Sequence, residues 1–192
     1  MIAVVLAAGR GDRLGGVAKA LLSIDGESFL ARVAGTLAAA GGGELLVVVG
    51  PPHGDRVRAE AARLGLAVVE NPAPERGMGS SVATGFAALA GRAGTAALLW
   101  PVDVARVAAA SVAAVVTAAA ADRIVVPTWQ GRGGHPAAFG RALWSELAAC
   151  DALPQGARSI LHRDPARVTR LPVDDPGVLA DVDLPADLER AP

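Results

Sequence analysis

The sequence predicts an α/β protein built as one three-layer α/β/α domain, with a mainly parallel central sheet and an antiparallel edge. Short apolar runs rich in β-branched residues alternate with alanine-rich stretches of helical periodicity, a pattern typical of βαβ units. The chain has 192 residues, of which 52% are hydrophobic, and this is enough to bury one sizeable core. We therefore expect a single domain over residues 1–192.

Five short apolar runs, each closed by Gly, Pro or Asn, are predicted to be buried strands. These runs are residues 2–6, 45–49, 67–69, 96–100 and 124–127. Between them, a helix is expected over residues 29–40, with Ser28 as its N-cap. Another helix is expected over residues 104–116, where valines and Ser111 keep to one face.

The chain changes character after residue 127, where glycines and the pair His135-Pro136 indicate an exposed loop. Five prolines then fall between Pro154 and Pro185. We expect this part to add strands at the sheet edge. We also expect it to close over the carboxyl ends of the strands, where α/β sheets bind ligands.

Composition disfavours several classes of partner. Lys and Arg total 18 against 19 Asp and Glu, so no net field favours nucleic acid or an anionic membrane. The longest mildly apolar stretch, residues 107–121, is too short and too rich in alanine to span a bilayer. The lone Cys150 is expected to be a buried thiol. With no signal segment at the start of the sequence, we expect a cytoplasmic protein.

The loop after the first apolar run, LAAGRGDRLGGVAKALL over residues 6–22, predicts a phosphate-binding turn. It is not a Walker A loop, because Lys19 lies between two alanines, and Leu14 replaces the third glycine of a dinucleotide fingerprint. A glycine-rich turn lets backbone amides approach an anion, and Arg13 and Lys19 are placed to neutralise it. The expected nucleotide contacts are Leu6, Ala7, Ala8, Gly9 and Gly11.

Together with the residues that follow it, this loop resembles the opening of MobA-like nucleotidyltransferases, which is approximately LAAGxxxRxGxxKxLLxxxGxxLL. Similar segments recur in order along nearly the whole chain: NPAPERGMGSSVATG, WPVD, GHPAAF, GARSIL and VDDPGVLADVDLPADL. The resemblance implies a Rossmann-like sheet of the nucleotide-diphospho-sugar transferase type. The GHP, GARSIL and closing DxDxPxDL segments are most similar to molybdenum cofactor cytidylyltransferases, which transfer CMP from CTP to molybdopterin.

Nucleotidyl transfer needs cations on the leaving pyrophosphate, a divalent metal and an aligned nucleophile. Arg13 and Lys19 suit the first need. Asp103 lies just beyond a predicted strand, where one carboxylate with substrate oxygens and waters can hold Mg²⁺. The resemblance implies a second carboxylate from the closing segment. Asp181 and Asp183 alternate there as in an extended stretch, so one of them is expected to reach the metal.

Two further segments are predicted to meet the substrates. Gly77, Ser80 and Ser81 are expected to bind the nucleotide, since both serines can cap a helix that runs to about residue 90. Their segment fails the GxSxG elbow of hydrolases because Ala83 replaces the final glycine. The resemblance places His135 near the acceptor, and its glycine-flanked position indicates a histidine that is presented rather than buried.

Three functions stay open at this point. The first is a Mg²⁺-dependent cytidylyltransferase that uses CTP, or another NTP, and molybdopterin. The second, by resemblance alone, is a nicotine blue oxidoreductase, although the sequence offers no independent redox centre. The third is a non-catalytic nucleotide-binding partner of a molybdenum hydroxylase apoprotein. It is suggested by Ala105, which stands where the family pattern has proline, and Leu184 likewise replaces a common threonine.

Overall fold

The computed structural model describes residues 1–12, 15–182 and 187. These residues contain ten strands and six helices. The strands are β1 (Ile2–Leu6), β2 (Ser23–Ile24), β3 (Glu27–Ser28), β4 (Glu44–Val49), β5 (Ala67–Glu70), β6 (Ala96–Pro101), β7 (Ile124–Trp129), β8 (Arg132–Gly133), β9 (Ala137–Gly140) and β10 (Val168–Pro172). The helices are α1 (Phe29–Ala39), α2 (Gly54–Arg63), α3 (Met78–Ala87), α4 (Ala109–Ala118), α5 (Trp144–Ala148) and α6 (Ala157–Arg163).

The main sheet has the strand order β10-β7-β9-β6-β1-β4-β5, with β8 paired to β7. The central strand β1 runs parallel to β4 and β6, and β5 and β10 extend the sheet in parallel at its two ends. β9 runs antiparallel between β6 and β7, and β8 is also antiparallel to β7. The predicted fold class is therefore confirmed, with the antiparallel pairing confined to the C-terminal side of the sheet.

The side chains of β1 point alternately to the two faces of the sheet, and both faces are covered by helices, which gives the three layers. Ala3 and Val5 belong to the core that α1, α2 and α4 cover, whereas Val4 and Leu6 belong to the core that α3, α5 and α6 cover. A strand that is apolar at every position can be buried on both faces, as is typical of parallel sheets. The nearly continuous apolar runs of the sequence thus require helices on both sides.

The helix predicted after Ser28 is confirmed, and Ser28 Oγ accepts a hydrogen bond from Ala31 N at 3.1 Å. The helix predicted over residues 104–116 is wrong at its start, since α4 begins at Ala109. Trp100 Nε1 donates to Val104 O at 2.9 Å, which holds that residue in a turn. The valines before residue 109 are therefore buried in a turn, where the pattern of apolar residues imitates a helix face.

The structure bears on two predictions, for the mildly apolar stretch 107–121 and for Cys150. Within the described ranges, no helix has both the length and the apolar character needed to cross a membrane. Cys150 is buried, as predicted, and its burial raises the pKa of the thiol to about 11. A thiol with this pKa stays protonated at neutral pH and is a poor nucleophile.

Candidate functional site

The sheet topology gathers the predicted site at one edge. The carboxyl ends of β1, β4, β5 and β6 lie together because these strands are parallel. β9 runs the opposite way, and its first residue, Ala137, pairs with Leu99 near the end of β6. His135, which precedes β9, therefore lies at the same edge as Asp103, which follows β6.

An ion pair joins the opening loop to this edge. Lys19 Nζ donates a hydrogen bond to Asp103 Oδ2 at 2.7 Å, and the two side chains are 17% and 21% exposed. Lys19 is the first residue of a short 3-10 turn, Lys19–Leu21. Its neighbours on either side, Ala18 and Ala20, are both buried. These two alanines hold the lysine backbone against the core. Two of the residues predicted to be catalytic therefore meet at one point, partly shielded from water.

The opening loop offers a ligand its backbone more than its side chains. Residues 6–8 are buried, whereas a Cβ added at Gly9 would meet only open space. Gly11 has a φ of +67°, and a Cβ there would collide with the Val17 carbonyl, so the turn requires glycine. Arg13, the other predicted cation of this loop, lies outside the described residues.

Hydrogen bonds fix the turn after Asp103, although Ala105 stands where the family pattern has proline. The buried Trp100 ring holds the Val104 carbonyl, and Arg32 Nε donates to Ala105 O at 3.3 Å. The position of the Asp103 carboxylate therefore does not depend on a proline.

The carboxylates at this edge suit a hard divalent cation. Val182 N donates to Asp103 O at 3.3 Å, which brings the closing segment, with the exposed Asp181, beside Asp103. One or two carboxylates, completed by phosphate oxygens and waters, are a ligand set typical of Mg²⁺. No metal-binding group of three His, Cys, Asp or Glu occurs in the part of the chain that is described, and Asp183 lies outside that part. Asp103 and Asp181 therefore fit an ion that is shared with a substrate.

A polar cluster at the start of α3 corrects the predicted role of two serines. The sequence predicts Ser80 and Ser81 as helix caps, but α3 begins at Met78, and its N-cap is Gly77, with a φ of +98°. Both serines are buried in the first turns of the helix, and their hydroxyls accept hydrogen bonds from Asn71 Nδ2 at 2.8 and 3.0 Å. The serine hydroxyls are thus engaged within the protein, whereas Gly77 is exposed.

Asn71 was not predicted from the sequence as a site residue. It is 2% exposed, and its Oδ1 accepts a hydrogen bond from Ala73 N at 3.0 Å, so both ends of the amide are bonded. It directly follows β5, at the edge that carries the site. A polar residue placed directly after an apolar strand was the signal that could have identified it.

His135 lies deeper than predicted, because β9 and the segment Pro176–Leu179 pack around it. The residue is half-buried, its backbone N donates to Val178 O at 2.8 Å, and its Nδ1 is buried without a hydrogen-bond partner among the described residues. Burial lowers the pKa of the ring, although a hydrogen bond to the Leu99 backbone and the charges of Asp103 and Asp181 oppose this shift. Burial therefore favours the neutral form of the ring.

Arg158 was also not predicted as a site residue, although the GARSIL segment contains it. This exposed residue lies in the first turn of α6, and its positive charge helps to lower the pKa of His135. A basic residue in a segment that already resembles the family was the available signal.

The fold recurs in solved structures. Rv0371c from Mycobacterium tuberculosis H37Rv is 32% identical, with 98% of this chain and 95% of that chain covered and a TM-score of 0.82. A structure of Rv0371C in complex with manganese, from the same organism, gives 28% identity, coverage of 98% and 96%, and a TM-score of 0.78. The inositol-1-phosphate CTP transferase of T. maritima shares the fold at 17% identity, with coverage of 97% and 90% and a TM-score of 0.71. Comparison with curated protein sequences finds no match.

The family model of the MobA-like NTP transferase domain matches residues 3–168. The matched range includes the opening loop, Asn71, Asp103, His135 and Arg158. The chain therefore belongs to the MobA-like NTP transferase family of nucleotidyltransferases.

Proposed function

We propose that this protein transfers CMP from CTP to a molybdopterin-type acceptor and releases pyrophosphate. The observation that carries the proposal is the Lys19–Asp103 ion pair at the carboxyl edge, with His135 beside it. A cation and a carboxylate in contact at the carboxyl edge of the sheet suit a reaction on a metal-bound triphosphate. The similarity of the GHP and GARSIL segments to molybdenum cofactor cytidylyltransferases supports the choice of acceptor.

The proposed reaction is an in-line displacement at the α-phosphorus of CTP. An oxygen of the acceptor phosphate forms the new bond to this phosphorus, and the bond to the bridging oxygen of the β-phosphate breaks. Pyrophosphate leaves with the electron pair. The second pKa of a phosphate monoester is about 6, so the attacking group is largely ionised at pH 7 without a protein base. Positioning and charge neutralisation are therefore the tasks left to the protein.

Lys19 is placed to neutralise the departing phosphates, and Arg13 is proposed to assist it. The backbone of the opening loop, including Gly9 and Gly11, is proposed to hold the nucleotide together with the exposed Gly77. The cluster of Asn71, Ser80 and Ser81 would act indirectly, by fixing the helix that follows Gly77.

Asp103 and Asp181, or Asp183 in place of the latter, would hold Mg²⁺. Bound there, the ion would neutralise the phosphate oxygens and the charge that develops on them. The manganese complex of the related Rv0371C supports the use of a divalent cation.

The fixed Asp103 turn favours a catalytic protein over a non-catalytic nucleotide carrier. Trp100 and Arg32 hold this turn, and Lys19 contacts the carboxylate directly, so the replacement of proline by Ala105 does not displace Asp103. Delivery of the product to a molybdenum hydroxylase apoprotein would then be a later step.

Pyrophosphate release with each of the four NTPs, with and without molybdopterin and Mg²⁺, tests the proposal. We expect release only when CTP, molybdopterin and the metal are all present, together with a cytidylylated pterin that mass spectrometry detects. Preference for GTP would refute the assigned base, and nucleotide binding without turnover would favour the non-catalytic alternative. Oxidation of NADPH or reduction of a flavin would favour the redox alternative.

A further inference from the structure

Asp175 is a buried acidic residue of the closing segment. It is 6% exposed and is the N-cap of the short 3-10 turn Pro176–Leu179. Its Oδ1 accepts a hydrogen bond from Gly177 N at 2.8 Å, and its Oδ2 accepts one from Ala108 N at 2.9 Å. The two carboxylate oxygens therefore connect the 3-10 turn to the residue directly before α4.

The connection depends on a carboxylate. Burying a charge is costly unless hydrogen bonds compensate it, and both partners of Asp175 are backbone N–H groups, one of them beside the positive N-terminal end of α4. Each N–H group uses a different oxygen. An asparagine has one acceptor oxygen, so it would satisfy one of these donors and place its NH₂ group against the other.

Close packing brings the same 3-10 turn against the residues that follow Asp103. A Cβ added at Gly177 would collide with the Arg106 carbonyl, so the 3-10 turn and the backbone of residues 103–108 touch directly. Only glycine, which has no Cβ, allows this approach. The closing segment thus contacts the turn that carries Asp103 at two neighbouring points, Arg106 and Ala108.

The closing segment also contacts His135 and Asp103 through its backbone. Val178 O accepts a hydrogen bond from His135 N at 2.8 Å, and Val182 N donates one to Asp103 O at 3.3 Å. Asp181, one of the carboxylates proposed to hold the metal, lies between these two contacts along the chain. A shift of the segment at its buried carboxylate would therefore be passed on to Asp181 and to the backbone of His135.

We infer that Asp175 is a positioning residue for the side of the site that contains His135. It holds the closing segment, so that Asp181 and the backbone of His135 keep their places beside Asp103. Both of its oxygens are engaged by backbone N–H groups, so Asp175 acts through these groups and not on a substrate. The inference rests on the proposed function for the roles of Asp181 and His135.

An NMR comparison of the folded proteins tests this connection without turnover. In Asp175→Asn, one buried N–H group loses its acceptor, so we expect the closing segment to move and the amide resonances of His135 and Val182 to shift. The amides of Ala7 and Asn71, which bond to β4 on the nucleotide side, should keep their wild-type resonances.

Asp174→Asn is the matched control, because it makes the same replacement at the exposed neighbour of Asp175. It should leave all of these resonances unchanged. Ala108→Pro is a second test variant, since it removes the N–H group that bonds to Oδ2 and leaves the carboxylate in place. Ala108 has a φ of −70° and a ψ of 141°, which proline can adopt, so this variant should fold and should shift the same resonances as Asp175→Asn.

Metal binding then separates positioning from stability. At a temperature at which the wild type and the variants are fully folded, Asp175→Asn should weaken Mn²⁺ binding about 10-fold, followed by electron paramagnetic resonance, because the closing segment carries the second proposed carboxylate ligand. Asp174→Asn should bind Mn²⁺ as the wild type does. A residue that contributes only stability leaves the affinity of the folded protein unchanged.

Steady-state kinetics at saturating Mg²⁺ give the last readout, in which Asp175→Asn should raise the acceptor KM about 10-fold and the KM for CTP far less. Unshifted His135 and Val182 resonances, wild-type Mn²⁺ affinity, or an equal rise of both KM values in Asp175→Asn would each overturn the inference. A wild type that releases no pyrophosphate with any NTP would refute the proposed function. The inference would still stand in that case if Asp175→Asn shifts these resonances and weakens Mn²⁺ binding.

Discussion

The two sides of Asp103 differ in how completely their polar groups are satisfied. On the nucleotide side, Lys19 already contacts Asp103 at 2.7 Å, and buried alanines hold its backbone. On the side of His135, the ring keeps a buried Nδ1 without a hydrogen-bond partner among the described residues. The first side is thus preformed. We expect the second to complete its interactions with a ligand, so changes on the two sides should affect different substrates.

The largest effect is expected for Asp103→Asn, since Asp103 serves both sides. The substitution keeps the shape of the side chain but removes the charge that would hold the metal and that pairs with Lys19. We expect kcat for pyrophosphate release to fall by about 10³-fold, comparable to the removal of a strong electrostatic interaction with a transition state.

The change in melting temperature should be small, because the Asp103 side chain is partly exposed and contributes no core packing. Wild-type turnover by Asp103→Asn at saturating Mg²⁺ would refute the site. Measuring Asp181→Asn and Asp183→Asn beside it identifies the second ligand, since the sequence predicts an extended segment, in which alternate residues point in opposite directions.

Asn71→Ala is expected to have an intermediate effect, confined to the nucleotide side. The variant leaves the hydroxyls of Ser80 and Ser81 without their donor in a buried cluster, which should lower the free energy of unfolding by about 1–3 kcal/mol. The displaced start of α3 should raise the KM for CTP about 10-fold, and the KM for the acceptor much less. Steady-state kinetics and urea denaturation measure the two effects.

Ser81→Ala is the control for this prediction, because it removes one hydroxyl and leaves the pair of Asn71 with Ser80. Ser81→Ala should change the free energy of unfolding and the KM for CTP less than Asn71→Ala does. Equal increases of the two KM values in Asn71→Ala would assign Asn71 to general stability and not to the nucleotide side.

The sequence predicted the framework and the nucleotide side better than the side of His135. Continuous apolar runs indicate parallel strands, and the loop of Lys19 and the residue Asp103 both follow such runs, so both were expected at the carboxyl edge of the sheet. Their direct contact was not predicted. His135 reaches the edge through the antiparallel β9, which lies between β7 and the strand β6, a partner far earlier along the chain. The local sequence pattern of glycines and His135-Pro136 indicates a loop at this position. It cannot reveal that tertiary packing buries the ring.

The serines illustrate a second limit. A Ser-Ser pair before an apolar helix suggests capping, but the helix starts at Met78, and Asn71 uses both hydroxyls as acceptors. Asn71 precedes Ser80 by nine residues and Ser81 by ten. The turn Pro74–Arg76 lies between Asn71 and the two serines. Helix propensity and capping rules do not include such a partner.

The smallest effect is expected away from both sides, at Glu60 on α2. Hydrogen bonds from Arg63 and then Ser28 lower the pKa of Glu60 from 4.5 to about 2, although burial opposes the shift. The folded state therefore favours the carboxylate. The resulting stabilisation is fully present above the ordinary pKa of glutamate and disappears as the pH falls toward 2.

Since the group lies near the surface, the difference in unfolding free energy between wild type and Glu60→Gln should be about 1 kcal/mol at pH 7. It should shrink steadily from pH 5 to pH 3 in urea titrations. Both KM values should stay at their wild-type levels, so this variant serves as a reference for the site variants. A difference that does not change with pH would contradict the assigned ionisation.

The most direct test of the contrast between the two sides is the KM of each substrate in Lys19→Ala and His135→Ala, measured by pyrophosphate release. We predict opposite selectivity. Lys19→Ala should raise the KM for CTP by about 10-fold or more and the KM for the acceptor far less, because the triphosphate is the substrate that the ammonium group is proposed to contact. His135→Ala should raise the acceptor KM far more than the KM for CTP. Equal increases of both KM values in either variant would contradict the assignment of the two sides to different substrates.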